Sequence, residues 1–222
     1  FDDLDPLINE PDVTVEMIRA GTPLPGNADL VLIPGSKSTS ADLAYFRAQG
    51  WDIDLRAHHR RGGRILGLCG GYQMLGKDIR DPHGIESKQP SIEGLGLLDI
   101  STEMQSEKTV TLTHATYLPT GDRVAGYEIH IGQTHGPDCE RAWLDIAGRP
   151  EGATSADGRI RGCYLHGLFA ADAFRAAFLK DFGAVSSIRY DQQVDQVLDT
   201  LALQLEQQLD VDQILSLARK VV

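Results

Sequence analysis

The 222-residue sequence has few cysteines and no long hydrophobic run. Its three cysteines, Cys69, Cys139 and Cys163, are an odd set without metal-ligand spacing, so we expect neither a disulfide framework nor a metal site. Thiols of this kind favour a reducing compartment, and we expect the protein to be cytoplasmic. No apolar run approaches the roughly 18–20 residues that span a bilayer, so we expect no membrane segment.

Basic residues are also scarce, with 21 Lys and Arg against 32 Asp and Glu, a formal net charge of -11. No basic stripe stands out, which argues against nucleic acid or an anionic membrane surface as a partner. The acidic start at Phe1 is not a signal peptide and lacks an initiator Met, so we interpret the sequence as a fragment or a processed product. The loop Gly35-Ser36-Lys37 lacks the Gly immediately before Lys that a phosphate-binding loop needs, so we expect no ATP site here.

The first third of the chain has the pattern of an α/β protein. Residues 29–33 and 64–68 are compact apolar runs typical of buried parallel strands, and residues 39–48 and 52–61 are helical in pattern. Thr39 with Asp42 suggests a capping box at the first of these helices. The order strand, helix, strand, helix predicts a doubly wound, mostly parallel sheet with helices on both faces.

The rest of the chain adds further elements. Residues 13–18 alternate weakly and suit a strand, and residues 108–131 predict additional antiparallel strands. A strand over residues 159–165 and a helix over 171–182 follow, and the apolar spacing after residue 190 predicts an amphipathic tail helix. We therefore expect one domain over residues 1–190 and a helical tail, residues 191–222, packed on the same domain.

The most informative stretch is Gly67-Leu68-Cys69-Gly70-Gly71, which lies between a predicted strand and a predicted helix. A reactive residue flanked by glycines in this position is typical of a nucleophile elbow, here with Cys in place of the usual Ser. The positive end of the following helix favours a Cys69 thiolate. The alternative is a small buried Cys in a glycine-rich turn. The full pattern of strand, turn and helix favours the nucleophile.

A nucleophilic Cys needs a base and hydrogen-bond donors for the developing oxyanion. Among seven histidines, only His166 ends an apolar strand just before a helix. Active sites collect at the carboxyl ends of the strands in open α/β sheets, so we expect His166 to meet Cys69 there. For the oxyanion we expect backbone N–H groups from Gly70, in the elbow, and Gly35, in the loop after the preceding strand.

Taken together, these motifs resemble the class I, triad-type glutamine amidotransferases. Their elbow pattern C-x-G-x-Q appears as Cys69-Gly70-Gly71-Tyr72-Gln73. Four further stretches narrow the resemblance to the carboxyl-terminal domain of the cobyric acid synthase family: Pro34-Gly35-Ser36-Lys37-Ser38-Thr39, Gly94-Leu95-Gly96-Leu97-Leu98, Gly126-Tyr127-Glu128-Ile129-His130 and Tyr164-Leu165-His166-Gly167-Leu168-Phe169.

The resemblance implies a flavodoxin-like fold and a reaction. Cys69 would attack the carboxamide of glutamine, and His166 would take the thiol proton and pass it to the leaving ammonia. Gly71 and Gln73 would help to hold glutamine. An amino-terminal ATP-binding synthetase domain, absent from this sequence, would use ATP and Mg to activate carboxylates of cobyrinic acid a,c-diamide, a corrinoid, and would accept the ammonia.

One departure from the triad pattern concerns the acid that orients the histidine. Typical members have H-x-E, whereas this sequence has His166-Gly167-Leu168, and Leu168 accepts no hydrogen bond. The resemblance implies the same gap in cobyric acid synthases. We expect another acceptor, a backbone carbonyl or Glu128, and slow glutaminase activity from this chain alone. Glu128 and His130 share a strand face as i and i+2, either as a solvent-facing pair or as supporting residues of the glutamine pocket.

Three alternatives stay open at this point. One is a cysteine hydrolase or isomerase of the same superfamily. Another is a related amidotransferase that acts on cobyrinic acid itself or on a cell-wall lipid. The last is a catalytically inactive domain of the same fold that is used for binding, in which Cys69 would react no faster than Cys139 or Cys163.

Overall fold

A computed structural model describes residues 3–218. Seven α-helices occur in that range, and two short 3-10 helices cover Pro137–Arg141 and Leu168–Ala170. The α-helices are α1 (Asp5–Ile8), α2 (Thr39–Ala48), α3 (Trp51–Arg60), α4 (Gly70–Leu75), α5 (Asp172–Lys180), α6 (Tyr190–Gln208) and α7 (Val211–Leu217).

The strands form a smaller, mostly parallel sheet and a larger, mostly antiparallel one. They are β1 (Leu30–Ile33), β2 (Arg64–Leu68), β3 (Asp78–Arg80), β4 (Ser91–Glu93), β5 (Ser101–Tyr117), β6 (Asp122–His135), β7 (Leu144–Ile146), β8 (Arg149–Glu151), β9 (Ala153–Thr154), β10 (Ile160–Cys163) and β11 (Leu165–His166).

The smaller sheet has the order β1-β2-β10-β9 and contains the predicted parallel core. Strands β1, β2 and β10 are parallel, with Gly67 of β2 opposite both Ile33 and Gly162. Strand β9 joins the edge in the antiparallel sense. Because the parallel strands end at the same edge, the loops after β1, β2 and β10 meet there.

Helices cover both faces of this sheet, as predicted. Neighbouring residues of a strand point to opposite faces, and Ile65 and Leu66 of β2 belong to two different hydrophobic clusters. One cluster includes Leu43 of α2 and Leu55 of α3, and the other includes Phe174 of α5. The doubly wound α/β arrangement is therefore confirmed.

The larger sheet has the order β11-β6-β5-β3-β4, with β7 paired to β5 and β8 paired to β7. Its longest pair, β5 with β6, is the antiparallel hairpin predicted from the Thr- and Val-rich residues 108–131. The predicted strand over residues 159–165 is divided between the sheets, since β10 pairs with β2 and β11 pairs with β6. This division brings His166 from one sheet to the edge of the other.

Two local predictions are wrong. Residues 13–18 do not form a strand. Val13 and Val15 pack against the core without a partner strand, and this burial explains why apolar and polar residues alternate there. The capping box at α2 is absent as well, because the helix starts after Ser38 and the Thr39 hydroxyl donates to Gln73. A Glu86 carboxylate accepts the Ser40 N–H in its place.

The amino-terminal segment is anchored to the domain at two points. Leu7 of α1 is buried in the core cluster that includes Phe169 and Phe178. Glu10 accepts hydrogen bonds from the fully buried Arg175 at 2.6 Å and from the Ser187 N–H at 3.0 Å. Removing one partner of such a buried pair costs about 3–5 kcal/mol, so this segment has a fixed place on the domain.

The tail consists of α6 and α7, as the apolar spacing predicts. The Tyr190 N–H donates to Asp172, which ties the start of α6 to α5. Neither tail helix has a buried residue, and Asp210 caps α7 by accepting from the Gln213 N–H. The division into a domain and a packed tail stays a prediction, and residues 219–222 of that tail lie outside the described range. Within that range, no helix is long and apolar enough to cross a membrane.

Candidate active site

Cys69 occupies the turn between β2 and α4, in the predicted elbow. Its φ of 51° lies in the left-handed region that a non-glycine residue rarely adopts. Two backbone hydrogen bonds fix the turn: Cys69 N–H donates to Cys163 O at 2.9 Å, and Gln73 N–H donates to Cys69 O at 3.1 Å. Strain of about 1–3 kcal/mol is typical of such a position and persists where the surrounding structure enforces it.

The glycines of the elbow are required by close packing. A Cβ at Gly71 would overlap the carbonyl oxygen of Ile33, at the end of β1. A Cβ at Gly67 would lie 2.7 Å from Gly71 O, and one at Gly70 would lie 2.7 Å from Ser36 Cβ. These contacts press the elbow against the end of β1 and the loop that follows it.

His166 lies beside Cys69, as predicted from the strand order. The two side chains both flank Gly35, since a Cβ there would lie 3.0 Å from His166 Cε1 and 3.6 Å from Cys69 Cβ. The imidazole stacks on Tyr127, with ring centroids 5.2 Å apart. The Cys69 thiol also points toward Ile129, whose carbonyl oxygen lies 3.0 Å from Sγ. Gly35 lies beside both side chains and Gly70 follows Cys69 in the turn, and the oxyanion role of their N–H groups stays a prediction.

The acid that orients His166 is Asp3, and neither acceptor expected from the sequence has this role. Asp3 Oδ2 lies 2.7 Å from His166 Nδ1, and Asp3 Oδ1 accepts the Gly167 N–H at 2.7 Å. Leu168 is buried in the core. The Asp3 carboxylate therefore fixes the imidazole with Nε2 free to face the thiol, and it removes the reason to expect slow glutaminase activity.

The pKa values of this pair follow from their contacts. Burial lowers the pKa of His166, but the hydrogen bonds to Asp3 and Cys69 outweigh it and raise the pKa to about 9. Burial likewise raises the pKa of Asp3, while the hydrogen bonds from His166 and Gly167 lower it below the ordinary value. At neutral pH the imidazole is thus protonated and Asp3 is ionised.

Glu128 and His130 share a face of β6, but this face is largely buried, so the solvent-facing reading is wrong. Glu128 accepts two hydrogen bonds from Arg149 Nη2, at 2.8 and 2.9 Å. His130 stacks on Tyr164 at 4.0 Å between ring centroids, and its Nδ1 lies 2.8 Å from Gly132 O. Neither side chain holds His166, and a supporting role at the glutamine pocket stays a prediction.

Gln73 is buried beneath the elbow in a polar network. Thr39 Oγ1 donates to Gln73 Oε1 at 3.0 Å, and Gln73 Nε2 donates to Tyr164 OH at 3.3 Å. Tyr164 OH in turn lies 2.5 Å from Thr134 Oγ1. The Gly71 N–H is also engaged, with Pro34 O as its acceptor at 3.1 Å. These contacts show Gln73 and Gly71 as supports of the elbow, and their contact with glutamine stays a prediction.

The geometry is that of a thiol, an imidazole and a carboxylate in series at the edge of an α/β sheet. A family model for the CobB/CobQ-like glutamine amidotransferase domain matches residues 1–174. The chain belongs to this family. The match includes Asp3, Cys69 and His166, so all three members of the series lie inside the glutamine amidotransferase domain.

Curated relatives of this glutamine amidotransferase domain are similar over nearly the whole chain. A cobyric acid synthase from Ruegeria sp. (strain TM1040) is 62% identical over 221 residues, which are 100% of this chain and 46% of the relative. One from Cereibacter sphaeroides (strain ATCC 17023) is 59% identical over 99% of this chain and 46% of the relative. A third, from Rhizobium meliloti (strain 1021), is 57% identical over 95% of this chain and 44% of the relative. The chain thus spans about half the length of these relatives.

Solved structures share the fold at low identity. A crystal structure of a glutamine amidotransferase matches with a TM-score of 0.50 and 17% identity, over 69% of this chain and 78% of that chain. The structure of PurLQS from Thermotoga maritima matches with a TM-score of 0.55 and 17% identity, over 74% and 80%. These likenesses show the fold and support the predicted flavodoxin-like class.

Asp3 is the functional residue that the sequence did not predict. It lies 163 residues from His166 among other acidic residues, Asp2 and Asp5, so nothing local distinguishes it. The available signal was indirect, because Leu168 occupies the position of the usual acid and an orienting carboxylate therefore had to come from elsewhere in the chain.

Proposed function

We propose that this chain is the glutaminase part of a cobyric acid synthase, a glutamine- and ATP-dependent amidotransferase of cobalamin biosynthesis. The observation that carries the proposal is the series Cys69, His166 and Asp3, assembled in a CobB/CobQ-like glutamine amidotransferase domain. The names of relatives at 56–62% identity support the pathway and the acceptor.

In the first step the Cys69 sulfur, whose proton His166 Nε2 already holds, attacks the side-chain amide carbon of glutamine. Collapse of the tetrahedral intermediate breaks the C–N bond, and the imidazolium gives its proton to the leaving nitrogen, which departs as ammonia. Asp3 stabilises the imidazolium during this step. The now neutral imidazole then takes a proton from water, the hydroxide attacks the thioester, and the sulfur leaves, which releases glutamate and restores the starting pair with the proton on Nε2.

The oxyanion of the intermediate needs donors beside the sulfur. The backbone N–H groups of Gly70 and Gly35 are proposed for this role because both residues line Cys69. Gly71 and Gln73 are proposed to shape the glutamine pocket. Since the Gln73 amide is satisfied by Thr39 and Tyr164, its contribution is the rigidity of the elbow.

The proposed acceptor reaction takes place outside this chain. The loop Pro34–Thr39 does not fit a nucleotide, because Gly35 packs against His166 and Ser36 against Gly70, so the loop forms a wall of the thiol site. ATP and Mg are therefore assigned to an amino-terminal synthetase domain that binds cobyrinic acid a,c-diamide. Relatives about twice as long as this chain support such a partner. All three cysteines are free thiols, in keeping with a cytoplasmic protein.

The alternatives have less support. The names of the relatives favour cobyric acid synthase over an amidotransferase for cobyrinic acid or for a cell-wall lipid. The hydrogen bond between Asp3 and His166, with Cys69 beside the imidazole, argues against a domain retained only for binding, because a carboxylate that positions the imidazole serves a reaction.

The test uses the full-length protein with ATP, Mg and cobyrinic acid a,c-diamide, supplied with either glutamine or free ammonia. Cys69→Ser is expected to abolish glutamine-driven amidation and to retain ammonia-driven amidation. Cys139→Ser, a change at another partly buried thiol, is the matched control and is expected to retain both activities. Glutamine-driven amidation by Cys69→Ser at the wild-type rate would refute the proposal.

A further inference from the structure

An exposed apolar row extends across the larger sheet from the catalytic histidine. Leu112 of β5 is opposite Tyr127 of β6, and Tyr127 is opposite His166 of β11. Residues paired in this way project to the same face of a sheet. Since neighbouring strands are about 4.8 Å apart, Leu112 lies only about 10 Å from His166 across the sheet.

A second pair extends this surface toward Cys69. Val110 is opposite Ile129, on the same face as Leu112 and Tyr127, and Ile129 O lies 3.0 Å from Cys69 Sγ. Val110 is 63% exposed and Leu112 is 82% exposed. We call Val110, Leu112, Tyr127 and Ile129 the hairpin face. It adjoins both catalytic side chains, and two of its members are apolar side chains left largely in water.

The backbone beside the hairpin face is also available for pairing. Strand β5 contacts β3 through residues 101–103 and β7 through residues 116 and 117, and on that side no other described strand pairs with the stretch between them. Exposed edges of this length favour pairing with another chain segment unless they are covered. A covering partner would therefore satisfy both the apolar side chains and the unpaired edge.

Asp3 indicates what covers this face. Its carboxylate reaches His166, so the amino-terminal segment crosses the site at the end of the row that includes Leu112. A domain joined to the amino-terminal segment would therefore lie near this face. The relatives are about twice the length of this chain, which leaves material for a domain of similar size.

We propose that the hairpin face is the docking surface for the ATP-dependent synthetase domain of the same polypeptide. This inference rests on the proposed function. Docking would exclude water above Cys69 and His166, so that ammonia released at the thiol passes to the acceptor site and is not lost to solvent.

The test compares Val110→Glu and Leu112→Glu with Ile53→Glu in the full-length protein. Ile53 of α3 is 67% exposed and lies in the first turn of a helix that packs near β2, so it controls for the added charge. The measured quantity is the amount of amide formed per glutamine hydrolysed, with ammonia-driven amidation as the readout of an intact synthetase domain.

For Val110→Glu and Leu112→Glu we expect this ratio to fall about tenfold, the effect of losing one well-packed interface side chain. Ammonia-driven amidation and basal glutamine hydrolysis should stay at the wild-type level, and Ile53→Glu should resemble the wild type. A wild-type ratio of amide formed to glutamine hydrolysed in both Val110→Glu and Leu112→Glu would overturn the inference. The inference would also be overturned if the wild type is a dimer that Leu112→Glu converts to a monomer while the ratio of amide formed to glutamine hydrolysed stays unchanged. That result would assign the face to a second copy of the chain. Absence of glutamine-driven amidation in the wild type would instead refute the proposed function.

Discussion

Asp3 and His166 form a hydrogen bond of 2.7 Å although 163 positions of sequence separate them. The same carboxylate binds the Gly167 N–H, so it is fixed by two donors, and its own segment is anchored through Leu7 and Glu10. The imidazole is therefore oriented by a residue from the opposite end of the domain, in place of an acid two positions after the histidine.

Asp3→Asn is expected to lower the kcat for glutamine hydrolysis by up to about 10⁴-fold, because the amide no longer fixes the required imidazole tautomer or stabilises its charge. The pH–rate profile should shift toward lower pH along with the pKa of His166. Steady-state glutaminase assays across pH measure both effects. The matched control is Asp5→Asn, an exposed carboxylate two positions away, which should leave the kcat and the profile unchanged. An unaltered profile in Asp3→Asn would show that the carboxylate is only structural.

The raised pKa of His166 predicts a loss of stability at alkaline pH. Its pKa is about 9 in the folded protein and 6.5 in the unfolded reference, so the protonated form stabilises the fold fully below pH 6.5. This contribution is lost as pH rises from 6.5 through 9. Denaturant unfolding of wild type and His166→Gln at several pH values isolates it. The difference between the two proteins should shrink over that window, and a constant difference would contradict the raised pKa.

Local sequence patterns predicted the elements around Cys69 well. The apolar runs of β1 and β2, the helices α2 and α3 and the glycine-flanked turn follow from periodicity and backbone sterics within a few residues. The antiparallel hairpin was also predicted, but not its position beside the catalytic histidine. That position depends on the break between β10 and β11, which moves His166 from one sheet to the other.

The incorrect and missing sequence predictions also have physical causes. Residues 13–18 alternate because Val13 and Val15 face the core, and burial alone explains that pattern without a paired strand. Thr39 was assigned to a cap because its spacing to Asp42 is local, but its hydroxyl is used by Gln73, 34 positions away. The role of Asp3 was the hardest to predict, since only the folded chain distinguishes this residue from its acidic neighbours.

Glycine substitutions should separate catalysis from stability. Gly35→Ala would place a Cβ 3.0 Å from His166 Cε1, so we expect it to lower glutamine hydrolysis by displacing the imidazole while the fold persists. Gly71→Ala would overlap Ile33 O and should destabilise the protein by more than about 3 kcal/mol. Gly26→Ala, which meets nothing within 4 Å, is the control. Paired activity and denaturant measurements check this, and full activity in Gly35→Ala would contradict the placement of Gly35 beside His166.

The network beneath the elbow should contribute measurable stability. Tyr164→Phe removes the hydroxyl that accepts from Gln73 and lies beside Thr134, which leaves the buried Gln73 Nε2 without a partner. The expected cost is about 1–3 kcal/mol in the free energy of unfolding. Tyr45→Phe, at an exposed tyrosine, should change it by less than about 0.5 kcal/mol. Equal stability of the two variants would mean that water or a rearranged side chain satisfies Gln73.

The central claim is that Cys69 is a nucleophile activated by His166 and Asp3, and covalent labelling tests it most directly. The full-length protein is treated with an electrophilic diazo-ketone analogue of glutamine and analysed by intact mass and peptide mapping. We predict a single adduct on Cys69, blocked by excess glutamine, absent in Cys69→Ser and formed much more slowly in Asp3→Asn. Labelling of Cys69 no faster than that of Cys139 or Cys163, or labelling unaffected by glutamine, would contradict the account.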